Sequence, residues 1–187
     1  SIKYKFDISC REKNILINLI KSLKNKHMER IKNSIRSIPN FPIENITFRD
    51  ITTLMQNPEA FKQACDEFYK RYKDKKIDKV VAIDARGFIF GAVLAYRLGV
   101  GFIPVRKKGK LPFKTISEKY TLEYGSAEVE IHEDAISKNE RVVIVDDLIA
   151  TGGTVNSAIN LVKRLGGVIV ECAFIVELPE LKGREKL

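Results

Sequence analysis

At 187 residues the chain is long enough for one sizeable hydrophobic core, and 44% apolar with 30% charged residues is the make-up of an ordinary globular protein, not of a fibrous or disordered one. No apolar run reaches the roughly 18 residues of a membrane span, and no signal-peptide core opens the chain. Cys10, Cys65 and Cys172 are too scattered for a disulfide framework, so buried thiols in a reducing, cytoplasmic compartment are expected and no membrane partner is. The net charge of +9 is uneven: residues 1–36 hold ten Lys/Arg against Asp7, Glu12 and Glu29, which leaves 23 basic and 21 acidic groups for the rest. The body is therefore nearly neutral, and nucleic acid is not implied as its partner.

In chain order, the first pattern is Leu16, Ile20, Leu23, His27, Ile31, Ile35 and Ile38, at i, i+3/i+4 spacing. It predicts an amphipathic helix or helix pair ended by Pro39, docking its stripe on the body with lysines in solvent and His27 packed in the stripe. This reading divides the chain into a basic helical extension, 1–36, and a body, 37–187.

Within the body, strands and helices alternate. Val80–Ile83 reads as a short apolar strand, Asp84-Ala85-Arg86-Gly87 as a turn, Phe88–Leu98 as a helix and Phe102–Val105 as the next strand. Tyr120–Tyr124 and Val129–Ile131 alternate like a hairpin, and Gly167–Val176 supplies a late strand. Such alternation predicts an α/β fold with a central parallel sheet flanked by helices, the inserted elements forming a hood.

The most informative run is Val142–Thr154, VVIVDDLIATGGT. Four branched apolar residues predict a buried parallel strand, and Asp146 and Asp147 interrupt the pattern at its carboxyl end, where open α/β sheets bind ligands. Ala150, Thr151, Gly152, Gly153 and Thr154 then open a helix that continues from Asn156 to Leu165. A loop of small residues at a helix N-terminus aims backbone N–H groups at one point, which suits a phosphate. Two carboxylates beside it make sense if the ligand also offers sugar hydroxyls or carries a divalent cation. A phosphorylated ribose satisfies both. No GxxxxGK[ST] motif occurs, so this is not a P-loop.

That run resembles the signature of the type I phosphoribosyltransferases. From about Ile35 onward the chain is similar to the adenine-specific branch of that family through SIPNFP, Ile46–Ile51 (ITFRDI), Ala82–Gly91, Val105–Pro112 (VRKKGKLP), Tyr120–Gly125 (YTLEYG) and Val176–Leu187. The resemblance implies transfer of the phosphoribosyl group of 5-phosphoribosyl-1-diphosphate (PRPP) to adenine, giving AMP and pyrophosphate in purine salvage. It also implies a homodimer and a Mg²⁺ held through PRPP and water, with no all-protein metal site. Asp146 and Asp147 would accept from the ribose hydroxyls, and Ala150 to Thr154 would hold the 5′-phosphate. Ala85, Arg86, Arg106, Lys107, Lys110 and Tyr124 would meet pyrophosphate, Arg106 across the dimer interface. Thr47, Phe48, Arg49 and Leu178 would bind adenine, with Phe48 and Leu178 on its faces. Glu123 would be the catalytic acid–base group; strand alternation puts it opposite Leu122 and Tyr124. Lys108 reads as an ordinary solvated charge.

Two alternatives remain at this stage. A 6-oxopurine phosphoribosyltransferase typically carries Asp at the position of Ala150, where it meets the purine N7. A non-enzymatic PRPP-binding regulator would need a DNA-binding domain in front, and the segment before Phe41 is too short for one of about 70 residues. Glu44, Asn45 and Phe113 depart from the residues common in the family, which bears on loop shape and not on the reaction. The resemblance also leads one to expect further residues beyond Leu187.

Overall fold

The computed structural model describes residues 28–42, 44–121 and 126–187. They fall into two compact units, divided between Glu67 and Phe68. Leu16, Ile20, Leu23 and His27 of the predicted stripe lie outside the described residues, as do Cys10, Leu122, Glu123 and Tyr124.

In the first unit, helical residues 28–33 lead into a hairpin of β1 (Arg36–Pro39) and β2 (Thr47–Asp50), antiparallel with Ile38 opposite Phe48. The helix therefore does not run to Pro39. Ser34 Oγ donates to the Arg30 carbonyl at 2.8 Å, closing the last turn, and Arg36 to Pro39 find strand partners instead. Asp50 ties the hairpin down: it accepts from Thr52 Oγ1 at 2.6 Å and from Arg36 Nη2 at 2.6 Å. The Thr52 hydroxyl and backbone N–H, with the Arg36 guanidinium, hold its carboxyl down at about 2. Short α1 (Thr52–Gln56) follows, then α2 (Pro58–Tyr72), whose residues from Phe68 on belong to the second unit. Asn57 Oδ1 accepts from Ala60 N at 3.0 Å and Pro58 occupies the first turn, an N-terminal signature legible in the sequence but not read there.

The second unit is built on one six-stranded sheet, ordered β5-β6-β4-β3-β7-β8. Its strands are β3 (Lys79–Ile83), β4 (Gly101–Lys107), β5 (Thr115–Thr121), β6 (Ser126–His132), β7 (Arg141–Ile149) and β8 (Val168–Glu177). The four strands β4-β3-β7-β8 are parallel, connected through α3 (Gly87–Leu98) and α4 (Gly153–Arg164). Val80, Val81, Val142, Val143, Ile144 and Val145 are buried on both faces, which is why these stretches read as continuous apolar runs without alternation. Each such side chain contributes about 1.5–3 kcal/mol by leaving water.

The hood is not a separate layer. The hairpin β5–β6 joins the sheet antiparallel, with Arg106 opposite Glu130 and Lys107 opposite Val129. At the other edge β8 carries an extra residue opposite Val142–Val143, and buried Glu171 follows it. Arg71 and Lys75 of the same unit both donate to Glu171, the latter at 2.8 Å, and hold its carboxyl below the ordinary range although burial opposes this. A bulge and a paired inward charge blunt an edge strand against pairing with another chain.

Candidate active site

The carboxyl ends of β3 and β7 and the start of α4 enclose a cavity of about 320 Å³. Asp146, Asp147 and all of Ala150 to Thr154 line it, as do Ala85, Arg86 and Lys107. These residues, which the sequence assigns to one site, thus line one cavity. One detail differs: β7 does not stop at the acids but continues to Ile149, because Asp146, Leu148 and Ile149 still pair with Phe174, Val176 and Glu177 of β8. The acids thus sit on a strand still paired with β8, β3 having ended its pairing at Val145, a stiffer mounting than a loop.

The two acids sit in different electrical surroundings. Asp147 is buried, and Arg86 Nε donates to its Oδ2 at 2.5 Å. Asp146 accepts the Asp147 backbone N–H at 2.8 Å through Oδ1. Burial first, and the neighbouring charge of Asp147 second, push its carboxyl well above the ordinary aspartate range. The site keeps one carboxylate compensated and the other reluctant to ionise, as a pair of close acids must.

Opposite the acids, the loop from Ala150 turns into α4 at Gly152, whose φ of +80° is left-handed. A residue with a Cβ is strained there; glycine is not. The first turn of a helix has no intrahelical acceptors for its N–H groups, so this loop, which lines the cavity, has donors to offer with the positive end of the helix dipole behind them. Charge and donors at one end and acceptors at the other describe a cradle for a sugar phosphate.

The Asp84–Ala85 peptide between β3 and α3 is cis. Arg106 does not line the cavity: its Nε donates to Asp84 Oδ2 at 2.9 Å and its Nη1 to the Lys110 carbonyl at 3.2 Å. It joins the turn carrying Arg86 to the basic loop. Lys110 is exposed and also off the lining. Lys108 is more than a solvated charge, since it donates to Ser117 Oγ at 3.0 Å and lies 3.6 Å from Glu128. Thr47, Phe48 and Arg49 lie on β2 of the first unit, Phe48 in edge contact with Phe41 at 5.4 Å. Leu178, in the second unit, is half-buried, its N–H donating to Ile149 O at 3.0 Å.

Sequence reading passed over three features. Tyr120 and Val129 of the hood line the cavity. Glu130, only 2% exposed, accepts from the backbone N–H groups of Lys110 and Leu111, each at 2.9 Å, and so shapes the basic loop. Gly183 presses on the loop that opens α4. No local pattern announces such contacts, because each joins residues distant in sequence.

Comparison with known proteins gives the family. The family model "Phosphoribosyl transferase domain" matches residues 50–186. The adenine phosphoribosyltransferase of Desulfosudis oleivorans is 67% identical over 157 residues, 84% of this chain and 91% of that protein. The crystal structure of adenine phosphoribosyltransferase from Rhodothermus marinus superposes with a TM-score of 0.82 at 48% identity, covering 87% of this chain and 93% of the other. That from Saccharomyces cerevisiae, complexed with an iminoaltritol 1,6-bisphosphate and adenine, gives 0.82 at 42% identity over 87% and 95%.

Proposed function

The chain belongs to the adenine phosphoribosyltransferases, pentosyltransferases of purine salvage, and we propose that the cavity at the end of β7 is where it joins adenine to the phosphoribosyl group of PRPP. The observation that carries this placement is that Asp146, Asp147 and the loop Ala150–Thr154 line one cavity. In the reaction, adenine N9 forms a bond to the anomeric carbon as the bond to pyrophosphate breaks, and the electron pair of that bond leaves on pyrophosphate.

The acids accept hydrogen bonds from the ribose hydroxyls, and the loop N–H groups with the Thr151 and Thr154 hydroxyls hold the 5′-phosphate. Arg86 and Lys107 line the same cleft and stabilise the negative charge that grows on the departing diphosphate. Ala85, Arg106, Lys110 and Tyr124 complete the proposed pyrophosphate contacts. Thr47, Phe48, Arg49 and Leu178 are the proposed adenine contacts, the yeast relative's adenine complex supporting a purine subsite in this family.

Two acids lining the cavity fit a Mg²⁺ that arrives with PRPP and its own waters, since that ion keeps several waters and takes one or two carboxylates. When bound, that ion neutralises diphosphate charge; Asp146 and Asp147 would orient its waters. Glu123 is proposed to take the N9 proton of adenine. Glu123→Gln is expected to lower kcat about tenfold or more with KM for PRPP little changed, and an unaltered kcat removes Glu123 from the mechanism.

A homodimer is supported by α3, which carries Arg97 as its one charged residue yet leaves Ile89 and Tyr96 exposed, Tyr96 to 87%. Phe102 of β4, 37% exposed, adds to them and meets Phe88 edge-on at 5.5 Å. A helix apolar all round belongs in an interior, and a second copy of this chain would supply one. A cytoplasmic location is supported by the buried thiols of Cys65 and Cys172, and no helix of the described residues is long and apolar enough to cross a membrane.

Steady-state turnover of adenine, hypoxanthine and guanine with PRPP tests the base assignment. Adenine is expected to exceed both 6-oxopurines in kcat/KM by about 10⁴-fold, because mismatched donors leave buried polar groups unpaired. Comparable use of hypoxanthine contradicts it. Ala150, which lines the cavity where an acid would be needed to meet N7, favours the 6-aminopurine.

A further inference from the structure

The turn after β8 is fastened at three points. The Leu178 N–H bonds the last residue of β7. Arg184 forks onto Glu177, Nε to Oε1 at 2.9 Å and Nη2 to Oε2 at 2.6 Å. Leu187 packs against the main hydrophobic cluster. Between these anchors Lys182 takes a left-handed φ of +52°, and buried Gly183 is turned toward the loop that opens α4.

There the two backbones touch. A methyl group built on Gly183 would overlap the Ala150 carbonyl oxygen and lie 2.9 Å from Gly152 N. One built on Gly152 would lie 2.6 Å from the Gly183 carbonyl oxygen. Neither neighbour is a side chain that could swing away, so the spacing of the two segments is set by backbone against backbone. A loop that binds through converging N–H groups depends on its curvature, since each donor must point at the same few oxygen atoms.

We propose that Gly183, held by the Glu177–Arg184 pair, is a positioning residue for the 5′-phosphate: the C-terminal turn is the floor that sets the curvature of Ala150–Thr154. The proposal rests on the reading that this loop holds the phosphate. It assigns Gly183 and Arg184 no contact with substrate, and Leu178, the turn's proposed adenine contact, keeps its own bond to Ile149. Its effect should therefore appear in affinity for the phosphate end of PRPP and not in the purine or pyrophosphate subsites.

The test is steady-state kinetics with PRPP and adenine, ribose 5-phosphate binding by calorimetry, and pyrophosphate inhibition. The variants are Gly183→Ala, Arg184→Ala, Arg184→Lys and the double variant Thr151→Ala/Thr154→Ala. Gly183→Ala is expected to raise KM for PRPP and Kd for ribose 5-phosphate in parallel, by about ten- to hundredfold. KM for adenine and inhibition by pyrophosphate should stay within about twofold of wild type, since neither subsite is displaced. Arg184→Ala, which leaves the loop itself intact, should move the same two constants in the same direction, and Arg184→Lys should restore part of the loss. If Gly183→Ala does not fold, the Arg184 pair decides. Unchanged phosphate affinity in Gly183→Ala beside a loss in the threonine double variant overturns the proposal and keeps the loop reading. No loss in either overturns both. A uniform fall in every constant, tracking a lowered Tm, means general destabilisation and also overturns it.

Discussion

Asp146 shows how a proposed binding residue opposes the fold that carries it. Burial and the charge of Asp147 raise its carboxyl well above the ordinary range. A carboxyl raised in the folded state contributes stability below its unfolded value, and that contribution is lost as pH rises through the raised one. At neutral pH an ionised Asp146 is therefore a burden on stability. Asp146→Asn keeps the shape without the charge and should raise Tm by a few degrees, about 2–4 °C for each kcal/mol relieved. The same change should raise KM for PRPP, because an amide offers half the acceptor capacity of a carboxylate to the ribose hydroxyls. In the wild type, PRPP affinity should strengthen with rising pH across the titration of Asp146, and the variant should lose that limb of the profile. Thermal melts and KM against pH check both; a lower Tm at neutral pH together with an intact acid limb would contradict the electrostatic reading.

At the scale of elements, the basic loop hangs on Glu130. Burial works against its charge, but backbone N–H groups of Leu111, Gly109 and Lys110 hold its carboxyl below the ordinary range. Glu130→Ala should strand these donors, at about 1–3 kcal/mol each if they stay buried, and weaken pyrophosphate inhibition through the displaced Lys107. Glu130→Gln keeps an acceptor for the two N–H groups and should stay near wild type. Equal pyrophosphate inhibition in wild type and Glu130→Ala would show that the loop holds its shape without the carboxylate. What was legible followed the same division. The run Val142–Val145, the acids and the small-residue loop announce themselves because a buried parallel strand and a helix-opening loop are local patterns. The helix was read too far, to Pro39, because Ile35 and Ile38 keep helical spacing while the pairing of Ile38 with Phe48 is invisible locally. The joining of the hood to the sheet through Arg106–Glu130, and the contact of Gly183 with Gly152, depend on pairings across many residues. Periodicity carries no information about either.

For the molecule as a whole, most of the net positive charge, +7 of +9, falls in residues 1–36. Residues 1–36 carry ten of the 33 Lys/Arg, and the proposed site uses none of them. The domain division at residue 36 stands as a proposal, with a practical limit: Ile31 is 1% exposed, so truncation must stop short of it. Removal of residues 1–27 should leave kcat/KM for adenine within about twofold, assays of the shortened chain being the check. Loss of activity in a folded truncate would give the extension a part in catalysis or assembly. Sedimentation should find wild type at twice the chain mass, with Tyr96→Lys shifting it toward monomer; a monomeric wild type contradicts the dimer. The most direct test of the central claim is a crystal structure of the protein with AMP. The expected result is the 5′-phosphate within hydrogen-bonding distance of the N–H groups of residues 151–154 and the ribose hydroxyls on Asp146 and Asp147. A phosphate seated away from that loop, with both carboxylates facing nothing of the ligand, would contradict it.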